Sequence, residues 1–313
     1  MRKSKLYKHF NLLFQVVIAV VAIYIIYIKL KDELRVFNTH NIAIDYKYML
    51  YAFLLLFINW GLEALKWKLA IKRTLKLTFR NAFKYTFTSV TASLITPNRI
   101  GEIPFRALML GKNYFKEATL KTMVSSYCQL IITLVLGTTS ILFIPKIIPE
   151  NYQIVLFVSL LICSALLLLI LFKIDRLVLI VKKIKFLKKY NLFEALSDFD
   201  SKEIFILLLL SLIRYFVFSF QFYLVFRAFG LNMSAFNELM LIPFFFLVTT
   251  VIPTILISEL GVRSSVAIYI FGYLADYNTT IILVSVTLWL LNVAFPALFG
   301  VFNLKQLKIL KAE

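Results

Sequence analysis

Cysteine and histidine are nearly absent, with two of each in 313 residues. Cys128 and Cys163 lie inside apolar runs without a spaced cysteine or histidine partner. They therefore suggest neither a disulfide framework nor a zinc site and read as small buried hydrophobes. His9 and His40 fall at segment ends, where an interfacial place is expected rather than a catalytic one. Gly101 and Gly111-Lys112 do not form a G-x-x-x-x-G-K loop, there is no H-E-x-x-H, and no serine or cysteine stands at triad spacing from a histidine. These absences argue against an ATPase, a zinc protease and a triad hydrolase, and no cofactor or metal is expected. A Pro/Gly/Ser-rich linker is missing too, so residues 1–313 read as one integral domain. Acidic residues are scarce: 16 against 35 Lys and Arg, a formal charge of +19. Such an excess could suggest a nucleic-acid partner. Here the lysines gather at the ends of apolar runs, the pattern of cytoplasmic loops facing anionic lipid, and no nucleic acid is expected.

What the chain has in abundance is apolar sequence: 61% hydrophobic residues and a mean hydropathy of +0.86. About half apolar is usual for a soluble protein, so this is a multi-span membrane protein. The run Phe10 to Ile28 is too long for the core of a signal peptide and lacks a small-residue cleavage site, so it reads as a retained first span. Arg2, Lys3, Lys5 and Lys8 before it place the N-terminus in the cytoplasm. The second span, Tyr48 to Trp67, runs into Lys66, Lys68, Lys72, Arg73, Lys76, Arg80 and Lys84, a basic cluster that reads as cytoplasmic. Further spans are expected over Ala118 to Ile144, Tyr152 to Phe172, Ile204 to Gly230 and Thr279 to Leu304. Lys112, Lys116 and Lys121, the lysines from Lys173 to Lys202, and Lys305, Lys308 and Lys311 then all lie inside. Leu177 to Leu187 alternates apolar runs with lysines, as an amphipathic surface helix does.

Two stretches interrupt this pattern. Thr96-Pro97-Asn98-Arg99-Ile100-Gly101-Glu102-Ile103-Pro104-Phe105-Arg106 sets two arginines, a glutamate, two prolines and a glycine in apolar sequence. Pro253 to Ser265 repeats the theme with Ser258, Glu259, Gly261, Arg263, Ser264 and Ser265. Read alone, the first stretch is compatible with a cytoplasmic loop. The apolar runs before the two stretches, Ala82 to Ile95 and Glu238 to Ile252, are however shorter than the ~20 residues a span needs. Paired short, Gly/Pro-interrupted segments in corresponding places of two halves point to a transporter's binding site. The expected fold is therefore an all-α integral membrane protein of six full spans plus two re-entrant helical hairpins, one from each face, in an inverted repeat. Each tip would reach past the middle of a hydrocarbon core ~30 Å thick, bringing Arg99 near Arg263 with Glu102 and Glu259 as counter-charges.

A charge at bilayer depth costs at least ~2.5 kcal/mol, so such residues face a polar cavity and carry function by default. Arg99, Glu102, Arg106, Ser258, Glu259 and Arg263 suit a phosphate headgroup, because arginine offers a bidentate fork and helix ends offer oriented donors. The other reading of the same residues is that the Glu–Arg pairs only neutralise each other and brace the tips. Arg214 stands ten residues into its span, with Ser211 and Gln221 on its helical face, and should also turn toward a cavity. Asn59, Glu63 and Asn292 could add polar lining or simply bond between helices.

At the two tips the chain resembles the flippase-like family that includes the transmembrane region of lysylphosphatidylglycerol synthase. The residues that carry the resemblance are Pro97-Asn98-Arg99-Ile100-Gly101-Glu102 with Arg106, and Leu260-Gly261-Val262-Arg263. The family's Pro-x-Gly-Gly opening of the second motif is replaced here by Ile257-Ser258-Glu259, and the acid after its arginine by Ser264. The aminoacyl-transferase domain of the full-length synthases has no counterpart, so the resemblance implies lipid translocation and gives no support for aminoacyl-lipid synthesis. The expected function is a flippase for a phospholipid or polyprenyl-phosphate lipid in the cell membrane, with both termini cytoplasmic and homo-oligomerisation left open. A membrane-embedded enzyme acting on lipid phosphates and a small-solute secondary transporter are the alternatives.

Overall fold

The computed structural model describes residues 44–94, 96–144, 147–176, 194–232, 234–254, 259–272 and 278–304, together with Val178 and isolated positions between 13 and 28. Among the described residues the chain is helical, without strands. The described helices of seven residues or more are α1 (Tyr46–Ala70), α2 (Phe79–Ser93), α3 (Glu102–Leu108), α4 (Lys112–Ser140), α5 (Glu150–Phe172), α6 (Ser201–Ala228), α7 (Ala235–Val251), α8 (Glu259–Phe271), α9 (Asn278–Trp289) and α10 (Phe295–Val301). Among the described residues five stretches are long and apolar enough to cross a membrane: α1, α4 extended to Phe143, α5, α6, and the continuous run Asn278–Val301. The protein is a multi-pass membrane protein. Of the first expected span only scattered positions are described; these are helical, and Leu13, Val16, Val20 and Tyr24 among them are exposed. The stretch Leu177 to Leu187, apart from Val178, lies outside the described residues.

Local signals set the helix ends. The Asp45 carboxylate accepts from the Lys47 amide at 2.9 Å to start α1, and the Thr78 hydroxyl caps α2. At the start of α6, Asp200 and Glu203 form a reciprocal capping box. The Glu203 amide, followed by Arg73 and Lys72, holds the Asp200 carboxyl below the usual carboxylate range. Because its folded value is depressed, the stabilisation from this cap is present above the ordinary aspartate range and is lost as pH falls through the folded value.

In lipid there is little hydrophobic drive between helices, so close approach and hydrogen bonds must hold them together. α1 and α6 make the most extensive contact. They run antiparallel: the Asp45 amide donates to the Ala228 carbonyl at 2.8 Å at one end, and Lys72 and Arg73 pair with Glu203 and Asp200 at the other. α2 packs on α10 and α7 on α4, while α3 packs on α4 and α8 on α9. Small residues permit the first two contacts. A Cβ on Gly300 would collide with Thr91 and the Phe87 carbonyl, and one on Gly137 with Leu247. Where Gly300 admits it, the Thr91 hydroxyl donates to the Ala297 carbonyl at 2.6 Å. Gly300→Ala should therefore force α2 off α10 and cost about 1–3 kcal/mol, as overpacking does. A lowered midpoint in heat-challenge size exclusion would show it; an unchanged midpoint would mean the helices slide apart freely. Phe222 centres the aromatic core, its ring 5.0 to 5.8 Å from those of Phe226, Phe245, Phe246 and Phe271.

Three expectations need correction. Cys163 is exposed on α5 rather than buried, since that helix turns most of its surface outward. Cys128 is buried as expected. α4 begins at Lys112, six residues before the expected span, and this carries Lys121 into the protein. There its ammonium is buried between Glu117 at 2.7 Å and Asp198 at 2.8 Å instead of lying in a loop. Lys66 is likewise turned inward and is 1% exposed.

Candidate functional site

The two broken elements meet. After α2 the chain passes Thr96, held extended by the following proline, into a 3-10 turn over Pro97–Arg99. Asn98 and Arg99 both adopt left-handed backbone, with φ of 46° and 54°. Such conformations cost about 1–3 kcal/mol each for non-glycine residues unless their surroundings impose them. Here the surroundings are the second element. The Asn98 amide donates to the Thr254 carbonyl at 2.9 Å, while the Thr254 amide and hydroxyl donate to the Asn98 side-chain oxygen at 2.5 and 2.7 Å.

Beyond each break a helix restarts on a glutamate with an arginine one turn on: Glu102 and Arg106 in α3, Glu259 and Arg263 in α8. A carboxylate in the first turn suits the helix dipole, and the i, i+4 spacing closes an ion pair in both, at 2.9 Å and 3.2 Å. α8 begins at Glu259, so this carboxylate sits in its first turn. Arg99 bridges the elements, its guanidinium 3.5 Å from Glu259 and 3.9 Å from Glu102.

The pairs join into one alternating chain that ends on α1. Arg106 binds Glu63 at 2.6 Å and donates from Nε to the Ser89 hydroxyl at 3.1 Å. Glu63 also pairs with Lys66 at 3.0 Å and with Arg214 of α6 at 3.2 Å. The Gln129 side-chain oxygen accepts from both Lys66 and Arg214, and the Arg214 guanidinium lies 5.8 Å from the Trp60 ring centre. Among the described residues, five cations, Lys66, Arg99, Arg106, Arg214 and Arg263, face three carboxylates, Glu63, Glu102 and Glu259. Two positive charges remain in excess.

This charged chain lines one part of a cavity of about 370 Å³. The remaining wall is aromatic and neutral-polar, with Trp60, Tyr215, Phe246, Trp289, Asn59 and Ser285 among its residues. Asn292 reaches this wall from a π-helical turn over Leu290–Ala294, where Pro296 lacks the N–H that would bond the Asn292 carbonyl. Its amide accepts from Asn59 and donates to Gln221, both at 2.9 Å, tying α1, α6 and the last helical run together.

Of the residues singled out from sequence, Arg99, Glu102, Arg214 and Arg263 lie on the cavity wall. Arg106 sits behind it, 2% exposed and fully engaged. Glu259 is buried between Arg99 and Arg263. Ser258 lies outside the described residues. Asn59 and Asn292 turn out to be both lining and interhelical bond. Sequence reading missed Lys66 and Gln129 as members of the site and undervalued Glu63. The available signal is Glu63 and Lys66 three apart near a span end, but in sequence Lys66 is continuous with the interfacial lysines that follow it. Among the described residues no group of three or more His, Cys, Asp or Glu is placed to hold a metal ion.

A cation-rich cavity among apolar helices, at the contact of two broken elements, defines a membrane protein with an internal polar site. The chain belongs to the family described as the lysylphosphatidylglycerol synthase TM region, whose model matches residues 12–300. No curated protein and no solved structure matches it.

Proposed function

We propose that the protein is a lipid translocase that carries a phosphate-bearing headgroup between leaflets through this cavity while the acyl chains stay in the bilayer. The observation that carries the reading is the excess of two positive charges, among the described residues, on a chain of ion pairs along a cavity of about 370 Å³. Arg99, Arg214 and Arg263 are the headgroup ligands, with Glu102 and Glu259 as their resting counter-ions and Arg106 setting the position of Glu102. Membership of a family named for a lipid synthase's membrane region agrees with a lipid substrate.

In the bilayer, α2–α3 and α7–α8 are re-entrant hairpins entering from opposite faces, and residues 10–28 supply a sixth span. The packing supports an inverted repeat. Each first arm, α2 or α7, packs on the last long helix of the other half, and each second arm, α3 or α8, on the helix that follows it. Exchanging the halves leaves that pattern unchanged, as rocking of one repeat against the other requires. Both termini and the Lys173 to Lys202 loop are cytoplasmic. Cysteines introduced at Lys189 and Asn237 should accordingly label from opposite sides of the membrane, and labelling from the same side would remove this topology.

The activity itself is tested with a fluorescent phospholipid in reconstituted vesicles. The protein should accelerate the loss of protected inner-leaflet probe over protein-free vesicles. Equal rates with and without protein, across phosphatidylglycerol and polyprenyl phosphate, would sink the proposal.

A further inference from the structure

We infer that the cavity selects a phosphate lipid whose headgroup beyond the phosphate is uncharged and hydroxyl-bearing, a glycerol or a sugar, and discriminates against headgroups carrying an amine. This rests on the reading of the cavity as a phosphate-lipid site.

Two features of the wall lead there. The first is that, among the described residues, no carboxylate of the site is left for an ammonium group. Glu63 is held by Lys66, Arg106 and Arg214, Glu102 by Arg99 and Arg106, and Glu259 by Arg99 and Arg263. An amine entering beside the phosphate meets the remaining positive excess with nothing to offset it. Of the aromatic faces that can receive a cation, Trp60 already carries the Arg214 guanidinium at 5.8 Å, and Tyr215, Phe246 and Trp289 line the same cavity as the positive excess, which opposes a further cation there.

The second feature lies on the neutral part of the wall. Among the described residues, the Trp60 indole N–H, the Asn59 side-chain oxygen and the Ser285 hydroxyl are buried polar atoms without a hydrogen-bond partner. Their residues are 3%, 2% and 4% exposed, and all three line the cavity. Buried polar groups left unpaired are costly, and a ligand that satisfies them gains that cost back as affinity. The set comprises a donor, an acceptor and a group that can be either. Hydroxyl groups, which both donate and accept, complement all three. The surrounding rings of Tyr215, Phe246 and Trp289 offer apolar faces to the C–H side of a polyol.

The test is calorimetric titration of the purified full-length protein with dihexanoyl lipids at fixed ionic strength. Phosphatidylglycerol and phosphatidylmethanol carry the same single phosphodiester charge and differ in hydroxyls, while phosphatidylethanolamine and phosphatidylcholine add a cation. Phosphatidylglycerol is expected to bind about tenfold tighter than each of the other three. Ser285→Ala and Trp60→Phe, each checked for a wild-type size-exclusion profile, should bring phosphatidylglycerol down toward phosphatidylmethanol. Phosphatidylethanolamine or phosphatidylcholine binding as tightly as phosphatidylglycerol overturns the inference. So does phosphatidylmethanol binding as tightly, with neither variant changing the ratio. In both cases the phosphate-lipid reading survives. Binding of none of the four lipids overturns that reading, and this inference falls with it.

Discussion

Glu63→Ala is expected to cost about 3–5 kcal/mol of stability, the range for removing one member of a buried ionic network. The reason is the number of charges it leaves behind. Lys66, Arg106 and Arg214 all pair with Glu63, at 3.0, 2.6 and 3.2 Å, and the first two are at most 2% exposed. Without the carboxylate, Lys66 keeps only the Gln129 amide oxygen among its described partners, and Arg106 keeps Glu102 and the Ser89 hydroxyl. Glu63→Gln should be milder, since an amide oxygen can still accept one of the three bonds. In a protein of this size the alanine variant's heat-challenge midpoint should fall on the order of 10 °C. A midpoint equal to wild type would show that water reaches these cations and that the hub is not structural.

Arg263→Ala is expected to behave in the opposite way, folding normally and losing transport. The Arg263 side chain is 27% exposed on the cavity wall, and its partner Glu259 retains Arg99 at 3.5 Å when it is gone. No buried charge is orphaned. What disappears is a fork aimed at the headgroup, and removing one member of a desolvated charge pair weakens binding by about 2–5 kcal/mol, roughly 100-fold in transport at limiting lipid. Arg99→Ala should match it in activity with a further loss in stability, because Arg99 joins the two elements through Glu102 and Glu259. Arg263→Lys keeps the charge without the bidentate geometry and should recover only part of the rate. Initial probe-loss rates in vesicles of matched protein content decide this. A wild-type rate in Arg263→Ala would remove this arginine from the headgroup site.

The sequence by itself determined the class of the protein, because hydropathy and lysine placement answer directly to the bilayer and need no tertiary contact to be read. It also marked both breaks, since proline and clustered charge cannot sit in an uninterrupted span, and it singled out Arg99, Glu102, Arg214 and Arg263, all of which line the cavity. Only the tertiary structure decided which charges touch. Arg106 and Arg263 hold equivalent places after equivalent glutamates, yet Arg106 is buried against Glu63 and Ser89 while Arg263 faces the cavity. Nothing within five residues of either arginine encodes that difference, because it is made by α1 packing beside one element and not the other. Lys66 carried the same ambiguity: a lysine near a span end can extend to the interface or fold inward. It folds inward because Glu63, one turn earlier, and Gln129, sixty-three residues later, are brought to it by the packing of α1 on α4.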